Sequence, residues 1–376
     1  MIRTNVLIIG GGPAGAMAAR ILAGNKIGTT LVERDLSYIK PCGGGIPSSA
    51  FSELDIPENT VIKKVKKISI ISPCSERVNV ELSGEALFIT ERGAFDAHLR
   101  ELAVAQGASV IEGMFSRFEE TGSTIISVIT MKPTREELRI KSDYVIAADG
   151  ITSKVAASLQ IPRARSINTI SALIKPADYE VCEFWFGTQH ASSYYSWVFP
   201  SRGCASIGTG SSTPRNLTTF LDIFARRRFN TPLAELNRKE LLGRTRAFKM
   251  PEWTGTLFNR GNVLFAGDAA GMVMPVIYEG IYYAMKSGEM AARAILERDP
   301  GAYKKLWESR FRRRFLLMRT IKQHLSDNSE NIEKWVALHK RPEVQELAIE
   351  LWLNKKPEGD RILMNYLKIF RHFLKL

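Results

Sequence analysis

Only four cysteines stand in 376 residues, Cys42, Cys74, Cys182 and Cys204, and none sits in a CxxC or zinc-type spacing. That scarcity argues against a disulfide scaffold and for a reducing compartment. The five histidines are dispersed, so no metal site is expected. No apolar run reaches the length that spans a bilayer. The N-terminus enters a strand with no basic region and apolar stretch ahead of it, so no secretory leader is expected and the cytoplasm is the default location. No second GxGxxG follows the first, which argues against a separate nicotinamide-binding domain. Acidic charge is also short. Lys and Arg total 52 against 39 Asp and Glu, a formal +13, and residues 302–376 alone hold 17 basic and 9 acidic side chains. Nucleic acid and anionic membrane are the partners such a bias suggests. No DNA or RNA motif accompanies the charge, so nucleic acid is not expected.

What the chain does have is concentrated at its start. The apolar run Val6 to Ile9 leads into Gly10-Gly-Gly-Pro-Ala-Gly15, and Met17 to Ala23 reads as a helix. A strand, a tight turn and a helix N-terminus in this order form a dinucleotide-binding fingerprint: Gly10 for the turn, Gly12 for close approach of phosphate, Gly15 for helix–strand packing. Pro13 and Ala14 lie between them. Glu33 ends the next apolar run, where a carboxylate would hold ribose hydroxyls. Lys40-Pro-Cys-Gly-Gly-Gly-Ile-Pro47 reads as a loop whose bare backbone a planar ligand could approach. Residues 61–90 read as antiparallel strands, and Arg92 to Gln106 as a helix presenting Phe95, Leu99, Leu102 and Ala103 on one face. A hairpin-like region follows, Thr124 to Met131 and then Glu137 to Ala147, ending at Asp149-Gly150. Residues 168–250 alternate as strands, with aromatics dense at Phe184-Trp-Phe186 and Tyr194 to Phe199. Such a cluster serves equally as core or as the wall of an apolar cavity. Gly267-Asp268 repeats the strand, acid and glycine pattern ahead of a helix over Ile281 to Leu296. Three or four helices are expected after Tyr303. In the last of them, Arg361 to Leu376, apolar residues share one face, basic residues the other, and acids are absent. That pattern suits a membrane interface or a helix docked on the body of the protein.

These motifs together resemble the FAD-binding pattern of the flavoprotein fold shared with para-hydroxybenzoate hydroxylase. Within it, Lys40-Pro-Cys-Gly-Gly-Gly45, Arg92-x-x-Phe95-Asp96-x-x-Leu99, Tyr195-x-Trp197-x-Phe199-Pro200 and Glu279-Gly-Ile-Tyr-Tyr-Ala-Met-Lys-Ser-Gly288 resemble the geranylgeranyl reductase family. The resemblance covers most of residues 1–300. It implies an α/β fold: a Rossmann-like FAD-binding domain (1–60, 92–160 and 255–300) interleaved with an antiparallel β-sheet substrate domain (61–91 and 161–254), plus a C-terminal helical region (301–376). It further implies that Gly10, Gly12, Pro13, Ala14 and Gly15 take the pyrophosphate of FAD and Glu33 the adenosine ribose. Arg92 would lie along the cofactor, Ser116 near the adenine, Asp149 in the second acid–glycine step, and Asp268 on the ribityl side. Gly280 and Ile281 would offer backbone N–H groups to the flavin ring, with Cys42, Gly43 and Gly45 close to that ring. One position departs from the family, which commonly has glycine just before Glu-Gly-Ile; here it is Tyr278, whose ring would narrow the space beside the flavin.

The implied reaction is saturation of isolated C=C bonds in a prenyl chain of an isoprenoid lipid, of the archaeal membrane-lipid type. Such an alkene is unactivated, so hydride transfer needs a proton delivered nearby in a long, dry, apolar site. Trp185, Tyr195, Trp197 and Phe199 are the candidate walls, and Tyr195, Tyr278 and Cys42 the candidate proton donors. An external electron donor is required: ferredoxin, NAD(P)H or coenzyme F420. The basic tail would let a lipid substrate enter from a membrane surface. A flavin monooxygenase or halogenase on the same fold, and a non-catalytic lipid-binding flavoprotein, are the competing readings.

Overall fold

Val6–Ile9 is four consecutive apolar residues, all buried. A run without alternation belongs in the interior of a parallel sheet covered on both faces. It pairs parallel with Thr29–Glu33 on one side and with Tyr144–Ala147 on the other. The sheet has nine strands, in the order Ile2–Arg3, Glu137–Ser142, Ile125–Met131, Ser109–Thr121, Thr29–Glu33, Val6–Ile9, Tyr144–Ala147, Val263–Phe265 and Asn259–Arg260. Ser109–Thr121 serves two neighbours: it starts parallel to Thr29–Glu33 and from Gly113 onward runs antiparallel to Ile125–Met131. Helix Pro13–Gly24 supplies the crossover after Val6–Ile9, and helix Ile281–Leu296 packs against it. The contact is close because Gly288 has no side chain: a Cβ there would lie 2.0 Å from the Ala14 carbonyl oxygen.

The computed structural model describes residues 1–175, 179–212, 216–239, 243–326, 328–354, 364–365 and 367–368. The chain divides into two compact units, Met1–Ile39, Gly93–Ser166 and Met250–Phe315 in the first, and Lys40–Arg92, Ile167–Lys249 and Leu316–Leu376 in the second. The nine-stranded sheet belongs to the first. The second is built on a seven-stranded sheet ordered Arg246–Pro251, Ser166–Ile174, Cys204–Ser211, Ser196–Ser201, Cys182–Trp185, Lys67–Ile71 and Arg77–Glu81. A smaller sheet joins Gly45–Pro47, Leu87–Thr90 and Val61–Val65. Helices Leu217–Phe229 and Leu233–Lys239 cover one face of the large sheet, where Leu221, Phe224, Ile207, Val198 and Trp185 form a core.

Several elements differ from the sequence reading. Residues 137–147 form two strands, Glu137–Ser142 in the hairpin and Tyr144–Ala147 beside Val6–Ile9. The N–H groups of Asp143 and Tyr144 both donate to the Asn5 carbonyl, and there the chain leaves the hairpin for the parallel part of the sheet. The strands of 61–90 are shared between two sheets. Gly45, expected in a loop, opens a short strand paired through Gly45 with Ile89. The C-terminal part forms helices Ala302–Leu325, Ser329–Leu338 and Pro342–Trp352. The amphipathic segment 361–376 lies outside the described residues except for Met364, Asn365, Leu367 and Lys368, which are helical. No helix among the described residues is long and apolar enough to cross a membrane.

Candidate functional site

In the first unit the glycine loop is fixed at three points. Gly10 has φ +106°, and a Cβ on it would lie 2.3 Å from the Ala148 carbonyl oxygen. Gly15 presses its own α-carbon toward the Gly10 carbonyl, leaving 1.9 Å for a Cβ. Between them Gly11 donates its N–H to Glu33 Oε2 at 2.6 Å, while Asp35 N–H donates to Glu33 Oε1 at 3.2 Å. Gly12 is different: among the described residues, nothing stands within 4 Å of the place its Cβ would take. It precedes helix Pro13–Gly24, whose first turn has no side-chain cap. An uncapped helix N-terminus beside open space is the arrangement that receives a phosphate.

Asp149 follows the strand Tyr144–Ala147. Its Oδ2 accepts from the N–H groups of Lys154 at 2.7 Å and Val155 at 3.2 Å. Its Oδ1 is buried without a hydrogen-bond partner among the described residues. Burial raises its pKa above the usual carboxylate value, against the hydrogen bonds that lower it.

At the other end of this unit, Gly267 donates its N–H to Ser287 Oγ at 2.8 Å, and Asp268 lies in the turn Gly267–Ala270. A Cβ on Gly280 would come 3.8 Å from Asp268 Oδ1, so the acid stands beside the start of helix Ile281–Leu296. The helix dipole favours a negative charge at that spot. The loop ahead of the helix carries two non-glycine residues in the left-handed region, Val276 at φ +70° and Tyr278 at φ +49°, both buried. The Tyr278 departure thus falls at a backbone position that glycine adopts without steric cost. Behind it, Tyr283 packs on Trp307, Phe311 and Phe315, with centroids 4.9 to 6.1 Å apart.

The second unit holds the Pro-Cys-Gly-Gly-Gly stretch and the aromatic sheet. A Cβ on Gly43 would lie 2.5 Å from Phe199 Cδ2, so the stretch rests on that ring. Gly44 has φ +74° and would meet the Thr90 carbonyl at 2.2 Å. Cys42 is exposed and its Sγ accepts from Gly44 N–H at 3.3 Å. Phe199, Phe184 and Tyr195 form an edge-to-face series with centroids 5.1 and 5.2 Å apart, and Tyr195 stands 6.4 Å from Trp197. Tyr194 stacks on Tyr195 at 4.5 Å. Trp197 fits here because Gly208 is its direct cross-strand partner and has no side chain to oppose the indole. Phe186 extends the wall to Trp335 on helix Ser329–Leu338 at 5.1 Å.

Trp185 does not join this group. Strand alternation turns it to the opposite face, into the core against Phe224, with its Nε1 donating to Glu183 Oε2 at 2.7 Å. Ser116 shares a 2.6 Å hydrogen bond with Thr130 Oγ1 across the sheet. Arg92 is buried at the start of helix Arg92–Ala105. Gly10, Gly12, Pro13, Ala14, Gly15 and Glu33 come together in the first unit, as do Asp268, Gly280, Ile281 and Tyr278. Cys42, Gly43 and Gly45 meet Phe199, with Tyr195 and Trp197 nearby, in the second. The sequence reading passed over Gly11, Gly44 and Ser287, which lie inside motifs it used, and Arg100, which no motif marks. Arg100 donates from Nη1 to Gly11 O at 3.1 Å and from Nη2 to Leu36 O at 3.0 Å.

The open space at Gly12 and the uncapped helix fit a phosphate-bearing cofactor such as FAD, and the unpartnered Asp149 Oδ1 fits a hydroxyl or N–H donor on it. A family model described as an FAD binding domain matches residues 3–298. Geranylgeranyl diphosphate reductase of Rhodobacter capsulatus is 29% identical over 94% of this chain and 93% of its own. Digeranylgeranylglycerophospholipid reductase of Thermoplasma volcanium is 30% identical over 92% of this chain and 94% of its own. The crystal structure of a geranylgeranyl bacteriochlorophyll reductase-like protein from Thermoplasma acidophilum superposes with a TM-score of 0.82 at 25% identity, covering 97% of this chain and all of that one. The chain belongs to the geranylgeranyl reductase family of FAD-dependent oxidoreductases.

Proposed function

We propose that this protein saturates C=C bonds in the prenyl chain of an isoprenoid lipid, with a geranylgeranyl group as the substrate unit and archaeal-type membrane lipid synthesis as its setting. The single observation that carries the reading is the relationship along nearly the whole chain to reductases named for geranylgeranyl substrates. When bound and reduced, FAD supplies the hydride, and an external donor (ferredoxin, NAD(P)H or coenzyme F420) supplies the electrons. The backbone N–H groups of Gly12, Ala14 and Gly15 would hold the pyrophosphate, with Pro13 opening the helix between them, Glu33 the ribose, Asp268 the ribityl side, and Gly280 and Ile281 the flavin ring. Arg92 and Asp149 would complete the cofactor contacts. The first unit would therefore carry the cofactor and the sheet of the second unit the substrate.

The chain's own part in the chemistry is to exclude water and deliver a proton. The face bearing Phe184, Tyr195, Trp197 and Phe199 is apolar and built of interlocked rings, which suits a hydrocarbon chain. Tyr195, Tyr278 and Cys42 remain the candidate proton donors. Docking at a membrane surface through the basic C-terminal segment would bring the lipid in without crossing water.

The test is anaerobic. The flavoprotein reduced with dithionite is mixed with geranylgeranyl lipids, and the product is weighed. Flavin reoxidation with two hydrogens gained per double bond supports the reading. A flavin that stays reduced with every prenyl lipid, yet turns over with oxygen and an aromatic substrate, overturns it.

A further inference from the structure

We propose that Arg100 is a positioning residue for FAD, a staple that ties the glycine loop to the turn after Glu33. Its guanidinium, on helix Arg92–Ala105, donates to two carbonyls from separate stretches of chain, Gly11 and Leu36. The Gly11 residue is thereby gripped from both ends, its N–H by Glu33 Oε2 at 2.6 Å and its carbonyl by Arg100 Nη1 at 3.1 Å. The two side chains close on the glycine itself: a Cβ there would lie 3.0 Å from Glu33 Cβ and 3.1 Å from Arg100 Cδ. Gly11 is therefore the residue that admits the staple, a role separate from those of Gly10 and Gly15.

Two consequences follow for the cofactor. With the Gly11 peptide held, the next residue, Gly12, and the helix N–H groups behind it face the open space in one orientation. The same fork fixes Leu36, in the turn after Glu33, where Asp35 N–H holds Glu33 Oε1 and the Asp35 carboxylate accepts from Ser37 N–H and Oγ–H. The pyrophosphate cradle and the ribose acid are thus set at a fixed separation before a ligand arrives, which removes an ordering cost from binding. An arginine suits the task because its planar fork reaches two acceptors at once, whereas a lysine offers a single compact ammonium. The inference rests on FAD binding and not on the choice of substrate.

The experiment titrates apoprotein with FAD, following quenching of flavin fluorescence, and then with ADP as competitor. Arg100→Ala is expected to raise the Kd for FAD by roughly ten- to a hundredfold, and to weaken ADP competition by the same factor. Arg100→Lys should recover part of the loss. At saturating FAD the visible spectrum of the bound flavin should match that of the wild type, since the flavin end is untouched; a general loosening of the fold would shift it. A Kd for FAD within about twofold of wild type, a loss of FAD affinity with ADP unaffected, or a shifted flavin spectrum overturns the proposal. Should Arg100→Ala fail to fold, Arg100→Lys decides: weakened binding of FAD and ADP together supports the staple, unchanged binding refutes it.

Discussion

Two runs of three glycines, Gly10-Gly-Gly12 and Gly43-Gly-Gly45, look alike in sequence and do opposite things in the structure. In the first, the chain closes on Gly10 and Gly11 and leaves Gly12 facing nothing within 4 Å. In the second, every glycine is closed off by the protein itself: Gly43 by the Phe199 ring, Gly44 by the Thr90 carbonyl and Gly45 by Leu87. One run leaves an opening at a helix N-terminus; the other lets a loop sink onto an aromatic sheet. The lesson is that a glycine-rich loop points to a ligand only where the missing side chain would have faced empty space. A ligand reaching the second run must use its backbone edge, since the α-carbon side is filled.

Substitutions to alanine separate the two. Gly15→Ala should have the largest effect, a loss of about 3 kcal/mol or more in denaturant unfolding, because its Cβ meets a backbone carbonyl that cannot move aside. Gly12→Ala, in the same loop, should leave apoprotein stability within about 1 kcal/mol of wild type while weakening FAD binding at least about tenfold by blocking the phosphate. Equal stability losses in both variants would erase the distinction. Gly44→Ala should cost about 2–3 kcal/mol, from the positive φ and the Thr90 clash together; an unchanged urea midpoint would show that the second run is looser than its contacts indicate.

The two units should also differ in acid. Burial holds His190 down at about 3, with Arg227 adding to the effect, and His339 at about 4, against an ordinary 6.5. Both lie in the second unit. In the unfolded chain each takes up a proton near its ordinary pKa, while in the fold each stays neutral. Their contribution is therefore complete above about 6.5 and is lost as the pH falls toward the folded values, by about 2 kcal/mol each at pH 5. Hydrogen exchange at pH 5 and 7 should show the seven-stranded sheet losing protection before the nine-stranded one; simultaneous loss would break the contrast.

The smallest expected effect concerns Tyr278. Both Tyr278→Ala and Tyr278→Gly remove a buried ring, but only glycine relieves the left-handed backbone at φ +49°. The glycine variant should be the more stable of the two by about 1 kcal/mol, the reverse of the usual order. A changed preference for prenyl-chain length in the same variants would place the ring beside the substrate.

Much of this was legible. The spacing of Gly10, Gly12 and Gly15 and the position of Glu33 are local in sequence and set by one strand–turn–helix unit, so the fingerprint foretold that unit, and the structure has it. The density of aromatics at Tyr194 to Phe199 marked a cluster on a sheet, and Tyr195, Trp197 and Phe199, at alternate strand positions, share one face of it. The same alternation should have excluded Trp185, which stands one residue from Phe184 and so points the other way. Composition alone cannot reveal which of two aromatic neighbours faces the core. Arg100 was invisible for another reason. Its partners are carbonyls, which every residue has, and they become neighbours only when the helix lies across both loops. The switch of 137–147 between two pairings likewise depends on Asn5, far away in sequence.

The contact between Gly288 and the Ala14 carbonyl works as the pivot of a caliper. Helices Pro13–Gly24 and Ile281–Leu296 meet with no room for a methyl group between them, so their two N-termini are the jaws of a single rigid gauge. A larger residue at 288 would push the two helices apart and so alter the gauge itself.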